Sequence, residues 1–442
     1  MRHLRLGRLA RSGLVMTAVL AATWTAIPAQ AATGPVSSTP AAGTPQLNTT
    51  GTTEQVRQLA QCGSTMYAVG SFTSIKRYST VYARNNVFSF GATSPFKVTS
   101  WNPNVNGVVN SIAFSSDCSV AYLGGKFSSV RGTAVNNIAA VSTSTGAVIT
   151  TFAHSASGQV ETLLRLGGHL LTGGYFKAVN GSSANPYFTS LNTTTGKDDG
   201  FLHLSISGNY QFPGVSSNPT RVYNQQLSHG GTLDLVEGDF TSAGGQPRQQ
   251  IFMLNVSGTT ATVTPWTSAE FNGPCATVEP YYLQAASWSP DDSRIYIATT
   301  GYHPYNEPTG SFPRTGLCDA AAAFPATQAS VSHLWVNYTG CDSLYSTAAD
   351  ASTVYIGGHE RWASNPSGCD FAGPGAIAAP GMAGLSPATG ALTFNPTRDR
   401  GLGADDMLLT SAGLWIASDN LDGSSRCAGV YGYAGICFLP YG

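Results

Sequence analysis

Seven polar side chains stand at corresponding positions in seven segments that are otherwise apolar. They are Arg57, Asn110, Glu161, Gln225, Gln284, Asp342 and Asp406. If the segments surround one axis, these side chains line a hydrated channel in which opposite charges partly neutralise one another. The three carboxylates would suit Ca²⁺, which binds about six to eight oxygen atoms. Two carboxylates at a suitable separation could instead act as acid and base in glycoside hydrolysis.

A second set of candidates lies in and beside two long Pro- and Gly-rich segments, residues 303–325 and 360–380. Its members are Tyr302, His303, Tyr305, His359, Arg361 and Trp362. Long loops on a rigid scaffold are typical binding positions, and Trp, Tyr and Arg are common in interface hot spots. These segments therefore indicate a ligand-binding surface, unless the rings only pack their own loops. Two His without a third ligand do not define a metal site.

Other chemistries find no support in the sequence. It contains no Gly-x-Ser-x-Gly, His-Glu-x-x-His or Walker motif. Charged residues make up 10% of the chain and the formal net charge is −1, which argues against nucleic acid as a partner. No cofactor is evident beyond a Ca²⁺ ion in the channel.

The candidate residues are positioned by a repeated segment. An apolar strand that ends in Gly-Gly or a near equivalent, often followed by an aromatic residue, recurs at intervals of about 58 residues. Seven copies are present. The residues at the second Gly position are Gly70, Gly125, Gly174, Gly238, Thr299, Gly358 and Ser418. The fifth and seventh copies lack the Gly pair and are the weakest.

Each copy contains four short strands separated by turn residues, which is the pattern of a propeller blade. The sequence therefore predicts an all-β, seven-bladed β-propeller with four-stranded blades. The last copy supplies three strands before the chain ends, so we expect an N-terminal strand near residues 44–48 to complete the seventh blade and close the ring. We call top the face that carries the loops between second and third strands.

The N-terminal residues predict export. Residues 1–31 have a basic start, a short apolar run and an Ala-Gln-Ala cleavage site, as in a secretory signal peptide. Residues 32–44 are rich in Pro, Thr, Ser and Gly and predict a flexible leader. Residues 45–442 then form a single propeller domain. The apolar run at the start is too short for a membrane span, so we expect a secreted, extracellular monomer.

The repeat resembles that of a known group. The segments Val354–Trp362 and Pro380–Leu385 resemble the delta-60-type repeat of secreted bacterial β-propellers and are similar to exported actinobacterial members. The resemblance covers most of the mature chain. It implies the propeller fold and carries no catalytic residues over to this sequence.

Eight Cys follow the cleavage site, and an even number in an exported chain indicates disulfides. They are Cys62, Cys118, Cys275, Cys318, Cys341, Cys369, Cys427 and Cys437. Repeat equivalence places Cys62 and Cys118 in similar turns of neighbouring blades. It favours the pairs Cys275–Cys318, Cys341–Cys369 and Cys427–Cys437, although sequence does not fix connectivity.

Two main functions fit these features. The first is a secreted binding or scaffold module for an extracellular glycan, cell-wall component or protein. The second is a hydrolase or lyase that acts on extracellular polysaccharide through channel carboxylates. A structural surface protein is a third interpretation, but the sequence carries no wall-sorting motif. The missing catalytic motifs and the elaborated loops favour the binding module.

Overall fold

A computed structural model of the chain describes residues 34–48, 54–209, 219–272, 282–301, 316–396, 403–419, 426–428 and 430–442. The predicted signal peptide lies outside these ranges. Within them the protein is all-β, and its only helical element is the 3-10 turn Ala269–Asn272. None of the described segments forms a helix with the length and apolar character needed to cross a membrane.

Seven larger antiparallel sheets follow one another along the described chain, and each is a meander of consecutive strands. Sheet one contains Gln55–Cys62, Thr65–Ser71 and Val87–Gly91. Sheet two contains Val108–Phe114, Val120–Lys126 and Ile138–Ser142. Sheet three contains Gln159–Leu166, His169–Tyr175 and Phe188–Asn192. Sheet seven contains Ala404–Thr410, Gly413–Ser418 and Ile436–Pro440.

Sheets four to six have a fourth strand. Sheet four contains Arg221–Leu227, Leu233–Asp239, Ile251–Asn255 and Thr262–Val263. Sheet five contains Leu283–Trp288, Arg294–Thr299, Ala320–Pro325 and Trp335–Tyr338. Sheet six contains Leu344–Ala349, Val354–Gly358, Met382–Leu385 and Leu392–Phe394. In sheets one to three the fourth position is held by single bridges at Val98, Val148 and Asp198.

Short strands decorate the connections between second and third strands. Ser74–Arg77 pairs with Thr80–Ala83 and with the N-terminal strand Gln46–Leu47. Ser242–Ala243 pairs with Gln246–Pro247 and with Ile206–Ser207. The remaining two-stranded hairpins are Ser129–Val130 with Thr133–Ala134, Trp362–Ala363 with Ile377–Ala378, and Arg426–Cys427 with Val430–Tyr431.

The hydrophobic core lies between successive sheets. Phe90 of sheet one packs on Trp415 of sheet seven, with ring centroids 5.6 Å apart, and Trp415 stacks on Phe438 at 4.3 Å. Tyr67 of sheet one and Leu123 of sheet two belong to the next buried cluster. Each sheet thus buries both faces against its neighbours, and residues from all seven first strands line one central cavity. This is the architecture of a β-propeller.

The repeated Gly has a steric cause. Each first strand carries a β-bulge near its start, as where the pairing with the second strand shifts between Val160 and Thr162. The bulge brings the first-strand backbone onto the second strand, so a Cβ added at Gly174 would overlap the carbonyl oxygen of Gln159. The same overlap arises at Gly70, Gly125, Gly238 and Gly358. Sheets five and seven have Thr299 and Ser418 at this position.

A second repeated feature lies just before each third strand, where the backbone has a positive φ. The residues are Asn86, Asn137, Tyr187, Gln250, Asp319, Gly381 and Gly435. The Asn137 carbonyl accepts the Gly125 N–H at 2.9 Å, and the Tyr187 carbonyl accepts that of Gly174 at 2.9 Å. Asn favours this left-handed conformation, and its side chain also helps in sheet one, where Asn86 Oδ1 accepts the Phe72 N–H at 3.1 Å.

Disulfides join the loops. Cys62 and Cys118 are bonded and connect the first turns of sheets one and two. Cys341 pairs with Cys369, and Cys427 pairs with Cys437. Cys318 is also disulfide-bonded, while Cys275 lies outside the described residues.

We expect Gly174→Ala to destabilise the protein, because its methyl group would overlap first-strand backbone that cannot move without disturbing the bulge. Overpacking of this kind costs about 1–3 kcal/mol. The matched control is Gly168→Ala in the turn of the same sheet, where an added Cβ meets no atom within 4 Å and φ is not positive. Denaturant unfolding of both variants checks this, and equal midpoints would contradict the steric account.

Candidate functional site

The residue added by each bulge points into the central cavity. These seven residues, which we call the bulge ring, are Arg57, Asn110, Glu161, Tyr223, Gln284, Tyr345 and Asp405. All seven line the cavity, whose volume is about 670 Å³. They lie near the start of the first strands, and we call this end of the cavity the mouth.

The bulge fixes the direction of these side chains. The residue before each bulge residue is apolar and completely buried, as at Val56, Val160 and Leu344. It is held in the interface between sheets, so the extra residue that follows must face the opposite way, toward the axis. The bulge ring accordingly holds side chains of different size and charge, from Arg57 and Glu161 to Tyr345.

Four members of the predicted polar ring belong to the bulge ring: Arg57, Asn110, Glu161 and Gln284. Gln225 and Asp406 also line the cavity, one or two residues deeper than the ring. Asp342 does not line it, and its 1%-exposed side chain accepts hydrogen bonds from the Nε and Nη2 atoms of Arg361, both at 2.8 Å. Sequence alignment missed Tyr223, Tyr345 and Asp405 because a bulge leaves no mark in an alternating pattern.

One side of the mouth is charged. Asn110 Oδ1 accepts a hydrogen bond from Arg57 at 3.4 Å, and Asn110 Nδ2 donates to Glu161 Oε2 at 3.3 Å. Arg221 Nη1 lies 3.8 Å from Glu161 Oε1. Burial raises the pKa of Glu161, while Arg221 and Arg57 act in the opposite direction. Farther round, Gln55 Nε2 donates to Asp405 Oδ2 at 2.8 Å.

On the other side of the mouth the bulge residues are uncharged, although the guanidinium carbon of Arg221 lies 5.2 Å from the centre of the Tyr223 ring. These bulge residues are Tyr223, Gln284 and Tyr345, from sheets four to six. The Tyr345 hydroxyl lies 3.4 Å from Nδ1 of His359, and the two rings meet edge to face with centroids 5.2 Å apart. The Tyr223 hydroxyl donates to the Leu283 carbonyl. This arc offers aromatic rings and an amide, the groups that recognise neutral polar ligands.

Below the mouth, polar side chains join one sheet to the next. Two residues after the bulge, the first-strand N–H turns toward the preceding sheet. Leu59 N donates to Asp406 Oδ2 at 2.9 Å, and Ile112 N donates to Gln58 Oε1 at 2.7 Å. Leu163 N donates to Ser111 Oγ at 3.0 Å. The polar residues that follow the bulges therefore hold the first strands in position.

A buried carboxyl lies beside the cavity wall in sheet four. Glu237 is 1% exposed and stands where the other sheets have Val69, Gly124, Gly173, Ala298, Gly357 and Ala417. Asn224, which lines the cavity, donates to Glu237 Oε2 at 2.8 Å. Burial raises the pKa of Glu237 to about 8, although the hydrogen bond from Asn224 and the nearby Ala286 N–H lower it. No repeat signal pointed to this residue.

The predicted loop residues differ in their positions and contacts. Tyr302, His303 and Tyr305 lie outside the described residues. The Arg361 side chain is bound by Asp342 and also donates to Asp370. Its guanidinium carbon lies 4.6 Å from the centre of the half-buried Trp362 ring. His359 reaches the mouth through Tyr345, so it alone of the described loop residues contacts the bulge ring.

The metal prediction is not settled by these contacts. Across the described ranges, no group of three or more His, Cys, Asp or Glu side chains is close enough to hold an ion. Glu161 and Asp406 face the cavity from different sheets, and Asp342 is paired with Arg361. Ca²⁺ in the channel stays a prediction.

Comparisons with known proteins give only distant similarities. No family model matches the chain, and no curated protein matches it. The solved structure of U3-55K has a TM-score of 0.48 at 10% identity, covering 91% of this chain and 100% of that one. The RRP9 WD40 repeats give 0.46 at 10%, covering 91% and 99%. The WD40 β-propeller domain of Doa1 gives 0.44 at 10%, covering 89% and 96%. None of these similarities identifies a family or a ligand.

The raised pKa of Glu237 predicts a pH-dependent difference between wild type and Glu237→Gln, which keeps the shape and an oxygen for Asn224. Between the ordinary pKa of 4.5 and the folded value of about 8, the native state keeps a proton that the unfolded chain has released. The wild-type free energy of unfolding therefore falls as pH rises through this range. Between about pH 5 and pH 8, the free energy of unfolding of the variant should rise by a few kcal/mol relative to that of the wild type.

Asp406→Asn is the matched control for this measurement. Burial raises the pKa of Asp406 from 3.8 to about 6, against hydrogen bonds from Leu59 and Met407. Its pH-dependent difference from wild type should end near pH 6, whereas that of Glu237→Gln should continue upward. Denaturant unfolding at several pH values measures both. Identical pH profiles for the two variants would show that Glu237 is not the higher-titrating group.

Proposed function

We propose that the protein is an exported seven-bladed β-propeller that binds an extracellular ligand, most simply a glycan, at the mouth of its central channel. The bulge ring carries this proposal, because seven fixed backbone positions present seven variable side chains to one cavity. A rigid scaffold with a polar concave site is a typical binding arrangement. No catalytic role is assigned to these residues.

Closure of the ring by the N-terminal segment is part of the proposal. Ser37 N donates to the Pro440 carbonyl at 2.7 Å, and Ala41 N donates to that of Phe438 at 2.9 Å. Residues 37–41 thus run beside the last strand of sheet seven, slightly earlier than the expected strand near residues 44–48. On the inner side, the bond from Leu59 N to Asp406 links sheets one and seven. These contacts support a seventh blade completed by the start of the mature chain.

The neutral arc of the mouth supports a glycan as the ligand. Sugars present hydroxyl groups for amide hydrogen bonds and apolar faces for aromatic rings. Gln284 and Tyr345 offer both, and His359 extends the same arc outward. Export is supported by the basic and apolar N-terminal residues and by the disulfides, which persist in oxidising compartments.

The rival function is a polysaccharide-degrading enzyme. Burial raises the pKa of Glu161 in sheet three, and Asp405 lines the same cavity from sheet seven. The mouth thus contains two carboxyl groups that could act as an acid and a base. The two functions differ in one observable. A binding module retains the glycan unchanged, whereas the enzyme releases new reducing ends.

The test uses a panel of soluble polysaccharides with the full mature chain. We expect binding without new reducing ends. Gln284→Ala and Tyr345→Ala should weaken it by about tenfold or more, since truncating a hot-spot side chain typically costs about 2 kcal/mol. The control is Gln61→Ala, which removes the same amide from the opposite end of the cavity.

Other results would decide against the proposal. Binding that survives both mouth variants but is lost in Trp362→Ala would place the site on the loops. New reducing ends that vanish in Glu161→Gln, a change that keeps the shape of the side chain, would establish the enzyme. Melting temperatures of each variant separate lost binding from lost folding.

Removal of residues 34–43 should lower the free energy of unfolding by several kcal/mol. It deletes the hydrogen bonds to the last strand and the 2%-exposed Val36, whose N–H donates to the Tyr355 hydroxyl at 2.9 Å. The matched control replaces the exposed Ser38 and Thr39 of the same segment by Ala. An unchanged melting temperature after the deletion would reject closure by this segment.

A further inference from the structure

The cations of this chain are unevenly placed. Residues 55–116 contain five Arg or Lys and no acidic residue, although the whole chain has 22 basic and 23 acidic residues. One of the five, Arg57, is in the bulge ring. The other four are Lys76, Arg77, Arg84 and Lys97. Lys76 and Arg77 belong to the hairpin Ser74–Ala83, and Arg84 follows it directly. Lys97 lies in the turn before the outer segment of sheet one, which begins at Val98.

Hydrogen bonds fix the side chains of Arg77 and Arg84 at the rim of sheet one, beside the turn that carries Lys97. Arg77 donates from Nε to the Gly43 carbonyl at 3.1 Å and from Nη2 to the Pro95 carbonyl. Arg84 donates from Nη2 to the Thr99 carbonyl at 2.9 Å. The two guanidinium groups therefore bracket residues 95–99, and the exposed Lys97 lies between the bracketed carbonyls. Lys76 is adjacent to Arg77 on the hairpin.

Aromatic rings accompany the cations. The guanidinium carbon of Arg77 lies 4.5 Å from the centre of the Tyr78 ring, and that of Arg84 lies 5.6 Å from the Tyr82 ring. Tyr78 is 69% exposed and Val81 is 55% exposed, and both are among the most exposed large apolar side chains of the described chain. Such exposure in a soluble protein often marks a binding surface.

Within the described ranges, no carboxylate is paired with the charges at this rim. The hydrogen bonds described for Arg77 and Arg84 go to backbone carbonyls. Carbonyl oxygens fix the guanidinium groups in position and leave their net charge available to a ligand.

We propose that this rim, formed by Lys76, Arg77, Tyr78, Tyr82, Arg84 and Lys97, binds an acidic polysaccharide at a site separate from the channel mouth. Arg and Lys would pair with the anionic groups of the polymer, and the Tyr rings would pack against sugar rings between them. Arg-to-carbonyl contacts also occur in other sheets, as where Arg131 donates to the Thr145 carbonyl, but the number of cations distinguishes sheet one. The corresponding hairpin of sheet two, Ser129–Ala134, has one cation, Arg131, at its tip.

Nucleic acid is the less fitting polyanion. Its closely spaced phosphates are usually tracked by more cations than one hairpin provides, and the chain as a whole has a net charge of −1. A polysaccharide with more widely spaced anionic groups suits a few cations interleaved with rings.

The test measures binding of the mature chain to polygalacturonate, neutral dextran and a single-stranded oligonucleotide at several salt concentrations. We expect polygalacturonate to bind most tightly and to weaken as salt increases. Lys76→Glu and Lys97→Glu should each weaken it about tenfold. The matched control is Lys197→Glu, because Lys197 holds the same turn position in sheet three. Its carbonyl accepts the Asn192 N–H as that of Lys97 accepts the Gly91 N–H.

Several results would overturn the proposal. It fails if Lys197→Glu weakens binding as much as Lys97→Glu does, if dextran binds as tightly as polygalacturonate, or if the oligonucleotide binds more tightly. Absence of polygalacturonate binding also rejects it. Gln284→Ala in the channel should leave this affinity unchanged, so failure at the rim and failure at the mouth give different results. The side-chain hydrogen bonds described for the hairpin do not involve Lys76 or Lys97, and a substitution keeps their backbone pairing, so their variants should fold.

Discussion

The extra residue in each first strand is the constraint on which the rest of the structure depends. A bulge moves the first-strand backbone onto its neighbour, and in five of the seven sheets the neighbour has Gly there, with no side chain to collide; Thr299 and Ser418 take this position in the other two. At Gly125 and Gly174, the carbonyl before the next strand also secures the N–H group. The bulge and the positive-φ residue recur in all seven sheets, and the second Gly of the pair accompanies them in five.

The same bulge separates the lining of the cavity from the core. It leaves an apolar residue buried between sheets and turns the next residue toward the axis. It also turns an N–H toward the preceding sheet, where a polar side chain such as Gln58 or Ser111 accepts it. The sheets are thereby joined at the wall of the cavity itself. The bulge-ring side chains range from Arg57 to Tyr345, and two of them, Asn110 and Tyr223, also donate to a carbonyl of the next sheet.

This division explains what the sequence could and could not predict. The repeat could be found in the sequence because a collision with the first-strand backbone favours Gly at one position of each copy. The sequence signal is weaker in the copies that have Thr299 and Ser418 at this position. Comparison of the repeats located four of the seven bulge-ring residues. Arg57, Asn110, Glu161 and Gln284 matched by position, but Gln225 and Asp406 were aligned beyond the bulge residue and Asp342 before it. A one-residue insertion reverses side-chain direction without changing composition, so no pattern of apolar and polar residues could locate it. The hydrogen bonds that position Arg77 and Arg84 join these side chains to backbone carbonyls of other segments of the chain.

The pair of sheets four and five shows how far this arrangement can be altered. Glu237 takes a position that is Gly or another small residue elsewhere, and it needs space in the facing strand. At the equivalent interface, Gly124 faces Val160 and Leu163; the counterpart of Leu163 in sheet five is Ala286. A small residue on one strand thus offsets a large one on the other, and the interface stays closed. Ala286 gives the carboxyl room, and the hydrogen bond from Asn224 reduces the free-energy cost of burying it, so this interface holds an acid beside the cavity while both first strands keep their bulges.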